Sequence, residues 1–171
     1  QGPTTRRENA MGKTSAPSTN ALRFLKAQKA DYEVHSYNYE DKGGTSRSSQ
    51  SLGVEEHSVI KTLIFEDHTK SPMVVLMHGD CEVSTKKLAR AMGIKSCGPC
   101  SPATAEKHSG YRVGGTSPFG LRKPIPIYVE RSILALPKIY INGGQRGLLV
   151  SLNPRLLKTL LRVVEVDVAI G

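Results

Sequence analysis

With 171 residues, 38% of them hydrophobic, the chain has the length and apolar content of one domain with a buried core, which excludes a disordered chain. No run is apolar for long enough to cross a bilayer and no apolar leader precedes the first helix, so the expectation is a cytoplasmic protein without a membrane partner. The formal net charge of +9, from 24 Lys and Arg against 15 Asp and Glu, suits a polyanionic partner, nucleic acid first, although Arg6, Arg7 and Lys13 place part of that charge in the N-terminal tail.

Residues 1–19 read as a disordered tail, with Gln1 to Ala10 an added segment and Met11 the natural start. The single domain is expected over residues 20–171. Thr19 or Asn20 caps a first helix carrying Leu22, Phe24 and Leu25. A strand follows from Asp31 to Tyr39, a turn at Gly43-Gly44, and a helix from Thr45 to Leu52 closed by Gly53. After a helical turn from Glu55 to Ile60, strands at 61–66 and 73–77 flank the polar hairpin loop Asp67–Pro72. Ser84 caps a helix that stops at Gly93. Ser101-Pro102 is an N-cap followed by proline at the first helical position, and that helix ends by Gly110. Strands at 125–130, 138–141 and 147–152, a helix from Asn153-Pro154 to Leu161, and a last strand over 163–168 complete the chain. Helices are interspersed with hairpin-linked strands, so the fold class is α+β, with a mixed sheet.

The chain lacks a Gly-x-Ser-x-Gly elbow, a Walker loop and a dinucleotide fingerprint. Cys97-Gly98-Pro99-Cys100 has the sequence of a redox dithiol ahead of a helix start, but no aromatic residue precedes Cys97 and the helix is short. The thiols pair with no second close ligand pair, and Cys81, His78 and His108 do not supply one by spacing, so no metal and no cofactor are expected. Lys61 opens an apolar strand, where a fixed cation could hold a phosphate or a carbonyl oxygen. Two glycine pairs, in Gly114-Gly115-Thr116-Ser117-Pro118-Phe119-Gly120 and in Asn142-Gly143-Gly144-Gln145-Arg146-Gly147, allow backbone to run close to a ligand.

Tyr37, Lys61-Thr62-Leu63 and the two glycine segments together resemble the YbaK/EbsC family of trans-editing aminoacyl-tRNA deacylases, in order and spacing, from about Asn20 to the C-terminus. The resemblance implies a mixed, mostly antiparallel, barrel-like sheet flanked by helices. It implies a pocket for the 3′ end of a mischarged tRNA, and clearance of cysteine from tRNA(Pro). By resemblance, the substrate's own thiol attacks the ester carbonyl and leaves as a cyclic thioester, so no side-chain nucleophile is needed. Lys61, Gly114, Gly115 and Asn142 are then the catalytic positions. Tyr37, Thr62, Ser117, Pro118, Gly143, Gly144 and Arg146 are the substrate-binding ones. Lys86, Lys87, Arg90, Arg122, Lys123 and Arg146 suit acceptor-stem phosphates, and prolyl-tRNA synthetase is a candidate partner for tRNA identity.

Two positions depart from the family pattern. Asn142 stands where serine is common, and Leu149 where some members carry aspartate. They leave three alternatives open: an Ala-tRNA(Pro) deacylase, an inactive tRNA- or synthetase-binding module, and, from Cys97 and Cys100, a thiol oxidoreductase.

Overall fold

The structure, a computed structural model, describes residues 4–8 and 18–171. Its elements are β1 (Thr4–Glu8), α1 (Asn20–Ala27), β2 (Tyr32–Ser36), α2 (Gly44–Leu52), β3 (Val59–Asp67), β4 (Pro72–His78), β5 (Glu82–Val83), α3 (Thr85–Met92), β6 (Cys97–Pro99), α4 (Pro102–Ser109), β7 (Ile127–Glu130), β8 (Ile139–Gln145), β9 (Leu148–Leu152), α5 (Arg155–Leu160), β10 (Val163–Val166) and β11 (Ala169–Ile170). Short 3-10 turns lie at Glu56–Ser58 and Arg131–Ala135. Part of the segment expected as a disordered tail, Thr4–Glu8, pairs with β2 at the sheet edge, and residues 9–17 lie outside the described residues.

The cap chemistry read from the sequence closes the helices. The Thr19 hydroxyl accepts from the Leu22 N–H, Ser84 from Lys87 and Ser101 from Thr104. Gly53, Gly93 and Gly110 stop their helices with φ between 68° and 82°, a backbone region where a Cβ is costly. The β3–β4 hairpin turns on Asp67, whose carboxylate accepts the N–H groups of Thr69 and Ser71 at 2.8 and 3.0 Å.

Among the described residues the main sheet has nine strands, in the order β1-β2-β9-β8-β3-β4-β7-β10, with β6 added to β3. The pairs β3/β8, β4/β7 and β7/β10 are parallel and the others antiparallel, so the sheet is mixed and mostly antiparallel, as expected. Its end strands, β1 and β10, are not joined to each other among the described residues, so the sheet does not close into a hydrogen-bonded ring. β5 and β11 form a separate small pair.

Strand alternation sorts the core onto two faces. Ile60, Ile64, Val74 and Leu76 point to one face, where they pack with Leu22 and Leu25 of α1, Phe119 and Leu157 of α5. Phe65, Met73, Val75 and Met77 point to the other, with Leu88 of α3, Val166 and Val168. Each fully buried large side chain contributes about 1.5–3 kcal/mol.

One buried carboxylate ties the second face together. Glu130, 2% exposed, accepts the N–H groups of Val168 and Ala169 on one oxygen, and the Ser132 N–H and hydroxyl on the other. Burial alone would raise its pKa, but these hydrogen bonds outweigh it and hold the carboxyl below the usual glutamate range. A depressed folded pKa stabilises the fold above the unfolded value, about 4.3, and that stability is lost as pH falls through the folded one. Glu130→Gln is therefore expected to lower stability by about 2–3 kcal/mol in urea unfolding at neutral pH. The gap from wild type should shrink as the pH is taken below 4.3, and a gap independent of pH would contradict the ionised role.

Candidate active site

The strand β2 ends at Ser36, and in the segment after it both Tyr37 and Tyr39 line one cleft. That cleft, about 330 Å³, lies between this segment, the start of α2, the first residues of β3, the loop around Gly114 and the β8–β9 pair. Five of the sequence-identified residues line it: Tyr37, Lys61, Thr62, Gly114 and Asn142. Tyr39, Glu40, Asp41, Lys42, Thr45, Arg47, Val113, Thr116 and Leu149 line it as well. Tyr39 was legible only as the i+2 neighbour of Tyr37.

The two glycine loops pack against each other. A Cβ on Gly115 would stand 2.9 Å from the Arg146 nitrogen and 3.0 Å from the Gln145 carbonyl carbon, both backbone. The Asn142 side chain bridges the loops. Its Nδ2 donates to the Gly114 carbonyl at 3.0 Å, and its Oδ1 accepts from the Gly144 and Gln145 N–H groups at 2.6 and 3.1 Å. Arg146 adds a second bridge: its Nε donates to the Val113 carbonyl at 2.8 Å, and its guanidinium lies over the Tyr39 ring at 5.0 Å. Asn142 therefore reaches the cleft mainly as a brace.

This packing separates the remaining expected residues from the cleft wall. The Gly115 N–H donates to the Arg112 carbonyl at 2.8 Å, and the Gly144 N–H to Asn142, so neither is free to receive an oxyanion in this geometry. The Gly143 carbonyl accepts from the Thr19 hydroxyl at 2.5 Å, on the side facing α1. Ser117 is fully buried and its hydroxyl accepts the Phe119 N–H, and Pro118 beside it is buried too. Gly115, Gly143, Gly144, Ser117, Pro118 and Arg146 thus shape the loops next to the residues that line the cleft.

Lys61 is one-fifth exposed, and its Nζ donates to the Cys81 carbonyl at 2.6 Å, with the exposed Glu82 carboxylate at 3.8 Å. An ammonium has three donors, so the contact with Cys81 leaves two for a ligand. The Thr62 hydroxyl is buried without a hydrogen-bond partner. The Tyr37 phenol is pushed up from its ordinary pKa, first by burial and then by the neighbouring Tyr39, and so stays a donor at neutral pH.

No histidine or cysteine lines the cleft among the described residues. Cys97 packs with the second core face and Cys100 against the first, because residues three apart on an extended strand point oppositely. All three cysteines are free. Burial pushes each thiol up, with Asp80, Asp67 and Glu66 adding to it at Cys81, Cys97 and Cys100 respectively. The Cys97 thiol donates to the Thr85 carbonyl at 3.7 Å and the Cys100 thiol to the Ile64 carbonyl at 3.3 Å, so the two thiols have separate partners.

Residues 40–160 match the family model of the aminoacyl-tRNA editing domain. The chain belongs to this family. The matched span holds the cleft's β3, Gly114 loop and β8–β9 walls. Among relatives, the chain is 30% identical over 149 residues to EbsC of Enterococcus faecalis, by name a candidate Cys-tRNA(Pro)/Cys-tRNA(Cys) deacylase, covering 86% of this chain and 91% of that one. It is 25% identical over 104 residues to the proline–tRNA ligase of Limosilactobacillus fermentum, covering 58% of this chain but 18% of the ligase. Two solved structures share the editing-domain fold. One is a hypothetical protein, with TM-score 0.81 and 24% identity over 88% of this chain and 99% of that one. The other is a candidate trans-editing enzyme for prolyl-tRNA synthetase, with TM-score 0.76 and 21% identity over 91% and 100%. No helix among the described residues is long and apolar enough to cross a membrane.

The bracing role of Asn142 is testable without a substrate. Asn142→Ala should lower stability by about 1–2 kcal/mol, as two N–H groups and one carbonyl lose their partner. It should also speed hydrogen exchange at the Gly144 and Gln145 amides. Unchanged exchange at both would remove Asn142 as the link between the loops.

Proposed function

We propose that this protein deacylates mischarged tRNA in trans, with cysteine on tRNA(Pro) as its substrate. The observation that carries this reading is a family cleft walled by tyrosines, a lysine, the carboxylates of Glu40 and Asp41 and braced backbone, with no histidine or cysteine among its described lining residues to make a base–nucleophile pair. Such a cleft suits a substrate that brings its own nucleophile. The cysteinyl thiol attacks its own ester carbonyl, the thiol proton passes to the departing ribose oxygen, and tRNA with a free 3′ end and a cyclic thioester result. A thiol of pKa about 8.5 is partly ionised at neutral pH and needs only modest help. Lys61 keeps its hold on Cys81 and offers its remaining N–H groups to the terminal ribose or its phosphate. The Tyr37 phenol donates to the terminal nucleoside, and Thr62 faces the ester. A synthetase pocket sized for proline discriminates against smaller side chains by only about 1–3 kcal/mol per methylene, so a second site is needed.

Association with prolyl-tRNA synthetase is part of this proposal, supported by the likeness to proline–tRNA ligases. A second reading, deacylation of Ala-tRNA(Pro) by water, is favoured by one feature: Leu149 gives the cleft an apolar wall.

The decisive assay incubates the protein with Cys-, Ala- and Pro-tRNA(Pro). Cys-tRNA(Pro) should be cleared fastest and Pro-tRNA(Pro) spared. Lys61→Ala should lower kcat/KM about 10²-fold or more, Cys97→Ser/Cys100→Ser should leave the rate unchanged, and added salt should weaken binding as phosphate contacts are screened. Preference for Ala-tRNA(Pro) would select the second reading. Absence of turnover with tRNA binding retained would make the protein a binding module.

A further inference from the structure

At the open end of the β3–β4 pair, three side chains meet outside the cleft. His57 precedes β3 and Asp80-Cys81 follows β4. The register Ile60↔His78 sets the 3-10 turn before β3 beside the turn after β4, which brings residues so far apart in sequence together. Their ligand atoms, an imidazole nitrogen, a carboxylate oxygen and a thiol sulfur, all lie within 4.8 Å of one another. Two of them point at the same atom: Asp80 Oδ1 is 2.8 Å from His57 Nδ1 and 3.5 Å from Cys81 Sγ.

The distances can be compared with those of a bound ion. For metal–ligand lengths of about 2.3 Å to sulfur and 2.0–2.1 Å to nitrogen and oxygen in a tetrahedron, the sulfur–oxygen separation is about 3.5 Å and the nitrogen–oxygen separation about 3.3 Å. The first already holds, and the second requires Asp80 and His57 to part by about 0.5 Å, within reach of two side chains that are each almost half exposed.

The surroundings hold the ligands in place. The His57 ring stacks on the fully buried His78 ring at 3.7 Å and 6°. His78 Nδ1 is 2.7 Å from the His57 carbonyl, to which it donates, and its Nε2 is 2.7 Å from Ser132 Oγ. The turn bearing Asp80 and Cys81 is pinned by the Gly79 N–H to the Val59 carbonyl and the Cys81 N–H to that of His78. Such outer partners are what orient metal ligands.

We propose that His57, Asp80 and Cys81 bind a divalent transition-metal ion of zinc's class, with a fourth position open to water. On binding, the Cys81 thiol proton leaves to solvent, and the His57 proton sits on Nε2 with Nδ1 bound to the ion. One thiolate and one carboxylate then balance the ion's two charges. Mixed nitrogen, oxygen and sulfur ligands select zinc and its neighbours over magnesium or calcium. The ion would also fix the Cys81 carbonyl that holds Lys61, a consequence that rests on the role given to that lysine above; the site itself does not.

The test uses the full chain, reduced and free of any affinity tag, titrated with Co²⁺ as a coloured stand-in for zinc. One Co²⁺ per chain should bind, with a thiolate-to-metal charge-transfer band and strong visible bands that Zn²⁺ removes. Cys97→Ser/Cys100→Ser should keep the spectrum and Cys81→Ser should lose the charge-transfer band. Should Cys81→Ser not fold, His57→Ala, at an exposed ring, carries the same test and should weaken binding at least tenfold with its circular dichroism unchanged. Zn²⁺ should raise the Tm of wild type and not of His57→Ala. No charge-transfer band in wild type, a band that survives Cys81→Ser or depends on Cys97 and Cys100, or equal affinity in His57→Ala would each overturn the site.

Discussion

The cleft depends on two stretches of backbone being allowed to touch. Gly115 lies so near Gln145 and Arg146 that a methyl group would collide with main-chain atoms, which cannot swing aside as a side chain can. Asn142 and Arg146 hold the contact with side-chain hydrogen bonds to the facing loop. Without this closure Gly114 and Asn142 would not share a cleft with Tyr37 and Lys61. The carboxamide of Asn142 is suited to this place. It donates to one loop and accepts from the other at once, which a serine hydroxyl with its single O–H and shorter reach could match only in part.

The second constraint is β3, the hub of the sheet. Its first residues pair with β8, its length with β4 and its end with β6. The same strand therefore delivers Lys61 and Thr62 to the cleft while Ile60, Ile64 and Phe65 knit both core faces. A fixed strand suits a lysine that must act by position, because the ends of loops are where precision is lost. The Cys81 carbonyl then restrains the far end of the same side chain.

Much of the architecture was legible because its signals are local. Ser84 with Gly93, and Ser101-Pro102 with Gly110, marked helix ends that the hydrogen bonds reproduce. The polar run Asp67–Pro72 marked a hairpin. β5, β6 and β11 were missed, since two or three residues carry no periodicity and their pairing is set by partners distant in sequence. β3 starts at Val59, two residues before the strand read from the sequence, because Val59 and Ile60 pair with Tyr140 and Ile141 of β8. At the site, Tyr37, Lys61, Thr62, Gly114 and Asn142 reach the cleft, whereas Gly115, Gly143 and Gly144 do not. The glycine pattern reports close approach of backbone, and a sequence does not say whether the thing approached is a ligand or the chain's own neighbouring loop. Here it is in large part the neighbouring loop.

That distinction bears on how the cleft can work. The Gly115 and Gly144 amides are engaged within the loops, so in the proposed reaction stabilisation of developing charge falls to side-chain donors that line the cleft, Lys61 and the Tyr37 phenol first. Each of these is a donor, and the carboxylates of Glu40 and Asp41 line the same cleft. Glu40 and Asp41 are the only carboxylates among the described lining residues and no histidine or cysteine stands with them, an arrangement that suits a thiol, which ionises by itself, better than a water at an alanyl ester. Leu149 pulls the other way, since an apolar wall accepts a methyl group as readily as a thiol. The donor set acts on the bond being broken and Leu149 only on the side chain being held, and a cysteinyl thiol asks less of Glu40 and Asp41 than a water at an alanyl ester does.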